Sequence, residues 1–298
     1  MLICDTHADT IGARTGHWND GRLDVTLENL TLTADTRVQT MALFIPPDGM
    51  KQSPTIVEKQ LAEFERMKLE GFHQIRSLGE AVPGRANVLL SIEGGEAFGD
   101  CVEGVDFMDG VGVRLAAITW NTPNELCQPA LTGNDTGLKP LGRAIVRRMH
   151  EKHMGVDVSH LNERGFWDLM DMGTAPLASH SCVWNLCPNE RNLKDDQIRA
   201  LIEAQGFIGI NFYTGFLNPD MKADLDTVVD HMAYICDMGG ENCVGFGSDF
   251  DGIDDYPIGL RTAADVPNLI AQLMKRGFGE KLTEKIAGLN FKRYLENI

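Results

Sequence analysis

The sequence predicts an α/β fold, a (β/α)₈ TIM-like barrel that takes residues 1–298 as one domain and carries its chemistry at the C-terminal ends of the strands. Three observations lead there. Short apolar runs alternate with amphipathic stretches from one end of the chain to the other, the pattern of a parallel sheet with crossover helices. Eight of these runs read as strands, which suits a closed barrel better than an open sheet. Polar or aromatic residues recur just after the runs, where a barrel keeps its reactive groups. The length of 298 residues agrees, since such barrels run to about 250 residues or more as one domain.

The strand candidates are residues 2–6, 40–45, 88–92, 112–118, 155–159, 175–179, 207–212 and 244–248. They are rich in Val, Ile, Leu and Ala, as strands covered on both faces should be. Helices are expected over 55–75, 141–153, 163–172, 195–204, 225–238 and 264–275, with a polar helix over 285–297. In the 264–275 stretch, Val266, Leu269, Ile270 and Leu273 fall at helical spacing. Residues 18–32 and 46–53 read as irregular insertions, and no linker or repeat divides the chain. A doubly wound open sheet is the alternative fold, but no Gly-x-Gly-x-x-Gly follows the first strand, so a dinucleotide site lacks support.

Composition narrows the function. With 43% hydrophobic and 23% charged residues the chain is ordinary for a folded protein. A net charge of −16 repels phosphate backbones and anionic membrane surfaces, so neither nucleic acid nor a membrane is expected as a partner. Seven cysteines, an odd number with no Cys-x-x-Cys pair, argue against a disulfide framework and a cysteine zinc site. The first residues read as a strand entering polar sequence rather than as a leader, and no run approaches the ~20 apolar residues of a membrane span. A cytoplasmic protein with reduced, mostly buried thiols is the expectation.

The apolar runs end in His7 with Asp9, Glu93, Trp120 with Asn121, His160, His180, Asn211 with Tyr213, and Asp249. Side chains two apart on an extended strand share a face, so His7 and Asp9 can reach one cation. The bland alternative is a helix-capping Asp beside a solvated His. Glu93 follows a buried run, where a bare carboxylate is costly and must find a cation or several donors. Its two oxygens can bridge two metals, and Gly94 and Gly95 let the backbone approach closely. A structural salt bridge is the alternative for Glu93. His160 and His180 each follow a Ser at the end of a run, one crossover helix apart, which suits adjacent strands; neutral imidazoles suit zinc. Asp249 and Asp251 have the same strand parity, so alternation does not choose between them; Gly252 makes a plain Asp-rich turn possible for Asp251. The remaining histidines, His17, His73, His150, His153 and His231, read as surface or packing residues.

In order along the chain, Asp5-Thr-His-Ala-Asp-Thr10, Ser91-Ile-Glu-Gly-Gly95, Gly112-Val-Arg-Leu115 with Asn121-Thr-Pro123, Val156-Asp-Val-Ser-His160, Ser179-His-Ser181, Pro188-Asn-Glu-Arg-Asn-Leu193, Gly247-Ser-Asp-Phe-Asp-Gly252 and Ile286-Ala-Gly-Leu-Asn-Phe291 resemble the renal (membrane) dipeptidase family, a branch of the amidohydrolase barrels. The resemblance implies two zinc ions, one held by His7, Asp9 and Glu93, the other by Glu93, His160 and His180. It implies that Arg191 contacts substrate and that Asp249 handles the substrate amine and the proton. It implies a dipeptide substrate, often with a D-residue at the C-terminal position, and a homodimer. One departure stands out: Trp120 occupies the place of a family His that contacts substrate, and an indole donates one hydrogen bond but takes up no proton. A hydrolase for another amide, a lactam or a phosphoester, and a non-catalytic binding protein on the same fold, are the alternatives.

Overall fold

A computed structural model describes residues 1–16, 22–33 and 35–298. His17 and residues 18–21 of the expected irregular stretch lie outside the described residues. The strands are β1 (Leu2–Asp5), β2 (Thr36–Phe44), β3 (His73–Ile75), β4 (Ala86–Glu93), β5 (Val113–Ala117), β6 (Gly155–Asp157), β7 (Leu177–Ala178), β8 (Phe207–Ile210) and β9 (Val244–Phe246). Hydrogen bonding runs β2-β1-β9-β8-β7-β6-β5-β4, and β2 pairs with β4 to close the ring. Every pairing is parallel. The expected (β/α)₈ barrel is therefore present, with helices between strands.

β3 was not expected, and it replaces the end of a predicted helix. The helix Ser53–Glu70 stops at Gly71, whose φ of 124° ends the helical path. His73–Ile75 then pairs with Asn87–Leu89 of β4, while β5 pairs with the other half of β4 from Leu90 onward. Further differences concern helices, and short unexpected ones cover Thr10–Arg14, Thr214–Leu217 and Gly279–Glu284. Glu103–Val111 forms a helix that the sequence pattern did not show. Leu27–Thr31 is helical within the supposed irregular stretch, capped by Thr26, whose side chain accepts from Asn29 N. Pro47–Gln52 is a 3₁₀ turn rather than an irregular loop. The last helix is broken: Lys285–Leu289 is a π turn and Asn290–Asn297 is α-helical.

Most buried apolar side chains form one contiguous cluster between the barrel and its helices. A second cluster fills the N-terminal end of the barrel. Cys4, Val38, Leu89, Leu115, Leu177 and Phe207 from six strands meet Phe291 and Tyr294 of the last helix. Each fully buried Phe there contributes about 1.5–3 kcal/mol of apolar burial. That end is plugged, which leaves the opposite end for a site. Among the described residues no helix is long and apolar enough to cross a membrane.

Candidate metal centre

Four strand ends deliver the five expected ligands to one place. Beyond β1, His7 and Asp9 turn inward; Glu93 is the last residue of β4; His160 and His180 lie just past β6 and β7. All five are buried, His180 completely. His160 Nε2 stands 2.9 Å from Glu93 Oε1, His180 Nε2 3.4 Å from the same oxygen, and the two Nε2 atoms are 2.9 Å apart. On the other side, His7 Nε2 lies 3.5 Å from Asp9 Oδ2, 3.7 Å from Glu93 Oε2 and 3.7 Å from Asp249 Oδ1. The two oxygens of Glu93 thus face different partners.

These spacings suit cations. With ligand bonds of about 2.0–2.2 Å, neighbouring donors around a tetrahedral zinc lie ~3.3–3.6 Å apart. His7, Glu93 and His180 form one group with ligand atoms within 4.8 Å of one another, and His7, Asp9 and Asp249 form a second. Among the described residues His7 Nε2 and Asp9 Oδ1 are buried without a hydrogen-bond partner. Asp9 stands at the N-cap of the helix Thr10–Arg14, yet its side chain makes no capping hydrogen bond, so the capping alternative does not describe it. Nor does Glu93 meet a Lys or Arg in an ion pair; its ion-pair partners among the described residues are His7, His160 and His180.

The electrostatics say the same. Burial, then the charge of Asp9, pushes the Glu93 carboxyl up to about 8. Burial likewise raises Asp249. Burial pulls His7 down, but the neighbouring Glu93 and Asp9 outweigh it and raise the imidazole well above its usual value. His160 and His180 are held well below theirs, first by burial, which keeps both neutral as ligands must be. Three buried carboxylates crowded together are a poor arrangement until a cation joins them, and a cation inverts that logic.

Backbone strain accompanies the site. His160 (φ 69°) and Asp249 (φ 64°) adopt the left-handed region, at about 1–3 kcal/mol each for non-glycine residues. Gly94, behind Glu93, has φ 102°, so a glycine is needed there. A Cβ on Gly252 would overlap the Asp9 carboxylate.

Asp9, Glu93 and His160 open onto a cavity of about 410 Å³. Phe44, Trp120, Tyr213 and Phe216 wall it, and Arg191 and Asp249 reach it. Asp249 Oδ2 accepts from Asn211 Nδ2 at 2.9 Å. Asp251, the other candidate, points elsewhere: it accepts from Thr10 Oγ1 (2.6 Å), Asp24 N (2.6 Å) and Val25 N (3.3 Å) and ties two loops together. Arg191 is buried, with Nη2 donating to His180 O at 3.3 Å and its guanidinium over Phe216 at 5.4 Å. Its Nε has no partner among the described residues, and burial lowers its pKa. Trp120 packs edge-on against Phe44, with centroids 5.2 Å apart.

The weaker histidines stay outside. His150 and His153 are exposed, and His73 lies in β3. His231 is buried and structural, bonded at both nitrogens. Sequence reasoning missed Asp157 and Ser179, which lie directly behind His180. The available signal was an Asp inside the apolar run 155–159.

Comparison with known proteins identifies the family. A model of the membrane dipeptidase family (peptidase family M19) matches residues 16–298. His7 and Asp9 precede that segment; the fold is what joins them to Glu93. The chain is 35% identical over 222 residues to an uncharacterized protein in the pqqA 5′ region of Klebsiella pneumoniae, covering 71% of this chain and 82% of that one. It is 33% identical over 220 residues to the dipeptidase tcpJ of Claviceps purpurea, covering 72% of this chain and 52% of the relative. The match thus spans about half the length of that fungal relative. The solved structure of the dipeptidase AC, a metallo peptidase of family M19, superposes with a TM-score of 0.88 at 25% identity, covering 99% of this chain and 98% of that one. A family match over nearly the whole chain and a shared closed barrel together mean that this chain belongs to the membrane dipeptidase family, peptidase family M19.

Proposed function

We propose that the protein is a binuclear zinc dipeptidase that hydrolyses the peptide bond of dipeptides and accepts a D-residue at the C-terminal position. His7, Asp9 and Glu93 would hold one ion, and Glu93, His160 and His180 the other. The observation that carries this reading is Glu93, whose two oxygens face two separate donor sets. When bound, the ions supply Lewis acidity and ionise water near neutral pH.

The chain's own groups do the rest. Arg191, buried beside the cavity with donors to spare, pairs with the substrate carboxylate, for which its planar fork is suited. Asp249 is the acceptor on the same wall that takes a proton from the attacking water and returns it to the leaving amine. Asn211 holds the far oxygen of Asp249 and so aims the near one at the site. Phe44, Trp120, Tyr213 and Phe216 exclude water and pack the two substrate side chains. Five of the seven free cysteines are buried, which suits a reducing compartment, and we place the protein in the cytoplasm.

The test is metal content per chain together with a substrate panel. Two zinc ions per chain and turnover of dipeptides, including those ending in a D-residue, are expected. Turnover confined to N-acyl amino acids, lactams or phosphoesters would reassign the substrate, the change that Trp120 favours. A zinc-loaded chain that binds a dipeptide without cleaving it would make the protein a binder.

A further inference from the structure

Behind His180 lies a buried carboxylate that no basic residue pairs in any ion pair among the described residues. Asp157 accepts from Ser159 N and Ser179 N, both at 2.9 Å to its Oδ1, and from the Ser179 hydroxyl on Oδ2. The same Ser179 Oγ stands 2.7 Å from His180 Nδ1. A serine hydroxyl has one proton to give. Asp157 Oδ2 is its nearest acceptor, well inside the 3.4 Å to Ser159 Oγ, so that proton goes to Asp157. Ser179 Oγ is then left as an acceptor toward His180, and Nδ1 must carry the imidazole proton. The other nitrogen, Nε2, is bare and faces Glu93 Oε1 and His160 Nε2. The parallel contact on His160, Nδ1 to Asn121 Oδ1 at 2.7 Å, lacks this certainty, because the two ends of an amide are exchangeable.

We propose that Asp157, acting through Ser179, is the positioning pair that sets the tautomer of His180 and so presents Nε2 to a metal. The proposal rests on the metal reading of His180. Neither residue touches substrate. Ser159 completes the arrangement: its Oγ accepts from His180 N at 3.1 Å and fixes the backbone that carries the ring.

Asp157→Asn discriminates sharply. Two backbone N–H groups demand an oxygen at Oδ1, so the new NH₂ takes the Oδ2 position and donates to Ser179 Oγ. Ser179 no longer has a carboxylate to take its proton; His180 Nδ1 at 2.7 Å is a nearer acceptor than Ser159 Oγ at 3.4 Å, and with the Ser179 proton turned to Nδ1 the ring proton moves to Nε2, into the metal site. The shape is unchanged and the tautomer is inverted.

The experiment uses the full chain. In the metal-free protein, the ¹⁵N shifts of His180 are expected to report Nδ1–H in the wild type and Nε2–H in Asp157→Asn, with His160, whose Nε2 lies 2.9 Å from that of His180, shifting in the opposite sense and His231, bonded at both nitrogens elsewhere, as the unmoved reference. Zinc affinity, measured by competition with a chromogenic chelator, is expected to weaken by about 10–100-fold, the usual cost of losing such an outer partner. Ser179→Ala removes the acceptor and is expected to weaken zinc similarly; it carries the test if Asp157→Asn does not fold. Unchanged affinity in the folded variants, or a wild-type His180 already protonated at Nε2, overturns the proposal. A wild type that binds no zinc while showing the Nδ1–H tautomer would sink the metal reading instead and leave the relay standing.

Discussion

The two ends of the barrel are built from the same strands by opposite rules. At the N-terminal end, Cys4, Leu115, Leu177 and Phe207 close against Phe291 and Tyr294, all apolar or aromatic, with Phe207 and Phe291 centroids 5.2 Å apart. At the C-terminal end, three histidines and three carboxylates are buried within a few ångströms of each other, and two of the residues adopt left-handed backbone. One end gains free energy by excluding water from hydrocarbon. The other gives up stability to hold charges where reaction needs them, a trade-off common at functional sites. The difference teaches that stability and chemistry are separable here, and that substitutions should sort by the end they touch.

The largest effect belongs to Asp249→Asn. The amide keeps the shape but neither takes nor gives a proton, so kcat is expected to fall by about 10²–10⁴-fold. Zinc per chain and thermal midpoint should stay near wild type. A variant with full turnover would remove Asp249 from proton transfer. Loss of one zinc would make it a ligand, consistent with its closeness to His7 and Asp9.

Phe207→Ala is the counterpart at the plugged end. Removing a fully buried ring should cost about 3–5 kcal/mol by urea denaturation. Turnover per folded, zinc-loaded chain should not change. Equal losses of stability and of kcat would show that the two ends are coupled after all.

How far the sequence foretold this division differs between residues. His7 and Asp9 were legible because two positions apart on an extended chain means one face. His160 and His180 were legible because each closes an apolar run after a serine. The serines themselves were not: Ser159 accepts from backbone while Ser179 serves a ring nitrogen, a difference created by Asp157, the last residue of β6, which takes the Ser179 hydroxyl proton. Asp249 and Asp251 could not be separated because strand alternation applies only to extended backbone. Both have φ of 64° beyond β9, and the turn sends one inward and the other to Thr10 and Asp24. β3 was hidden because His73-Gln-Ile75 carries one buried apolar residue after a long helical pattern. The helix Glu103–Val111 was hidden by two glycines of low helix propensity. Gly104 is nonetheless required there, because a Cβ would overlap Phe98 O.

Asp251→Ala sharpens the contrast within the rim itself. It strands two backbone N–H groups and the Thr10 hydroxyl, at about 1–3 kcal/mol. Burial pushes its carboxyl up to about 6, but Thr10, Asp24 and Val25 occupy both its oxygens and hold them away from the substrate. A lowered urea midpoint with turnover close to wild type is expected. A collapse of kcat with zinc retained would move Asp251 into the catalytic group.

The smallest effect comes from a residue that serves the rim from behind. His231 accepts from Val183 N at 3.0 Å on Nδ1 and donates from Nε2 to Leu217 O at 2.9 Å, so it steadies the segment following His180 only while neutral. Burial holds its pKa below the usual 6.5. A lowered folded value means that its contribution is complete above about 6.5, the unfolded value, and is lost as pH falls through the folded one. Protonation at Nδ1 would set two N–H groups against each other. Each pH unit within that window costs at most about 1.4 kcal/mol from one group. Urea midpoints between pH 7.5 and 5.0 should therefore fall more steeply for the wild type than for His231→Gln, since the titrations of His7, His160 and His180 are common to both proteins. Parallel slopes would remove His231 from the acid sensitivity and assign all of it to titrating groups that the two proteins share.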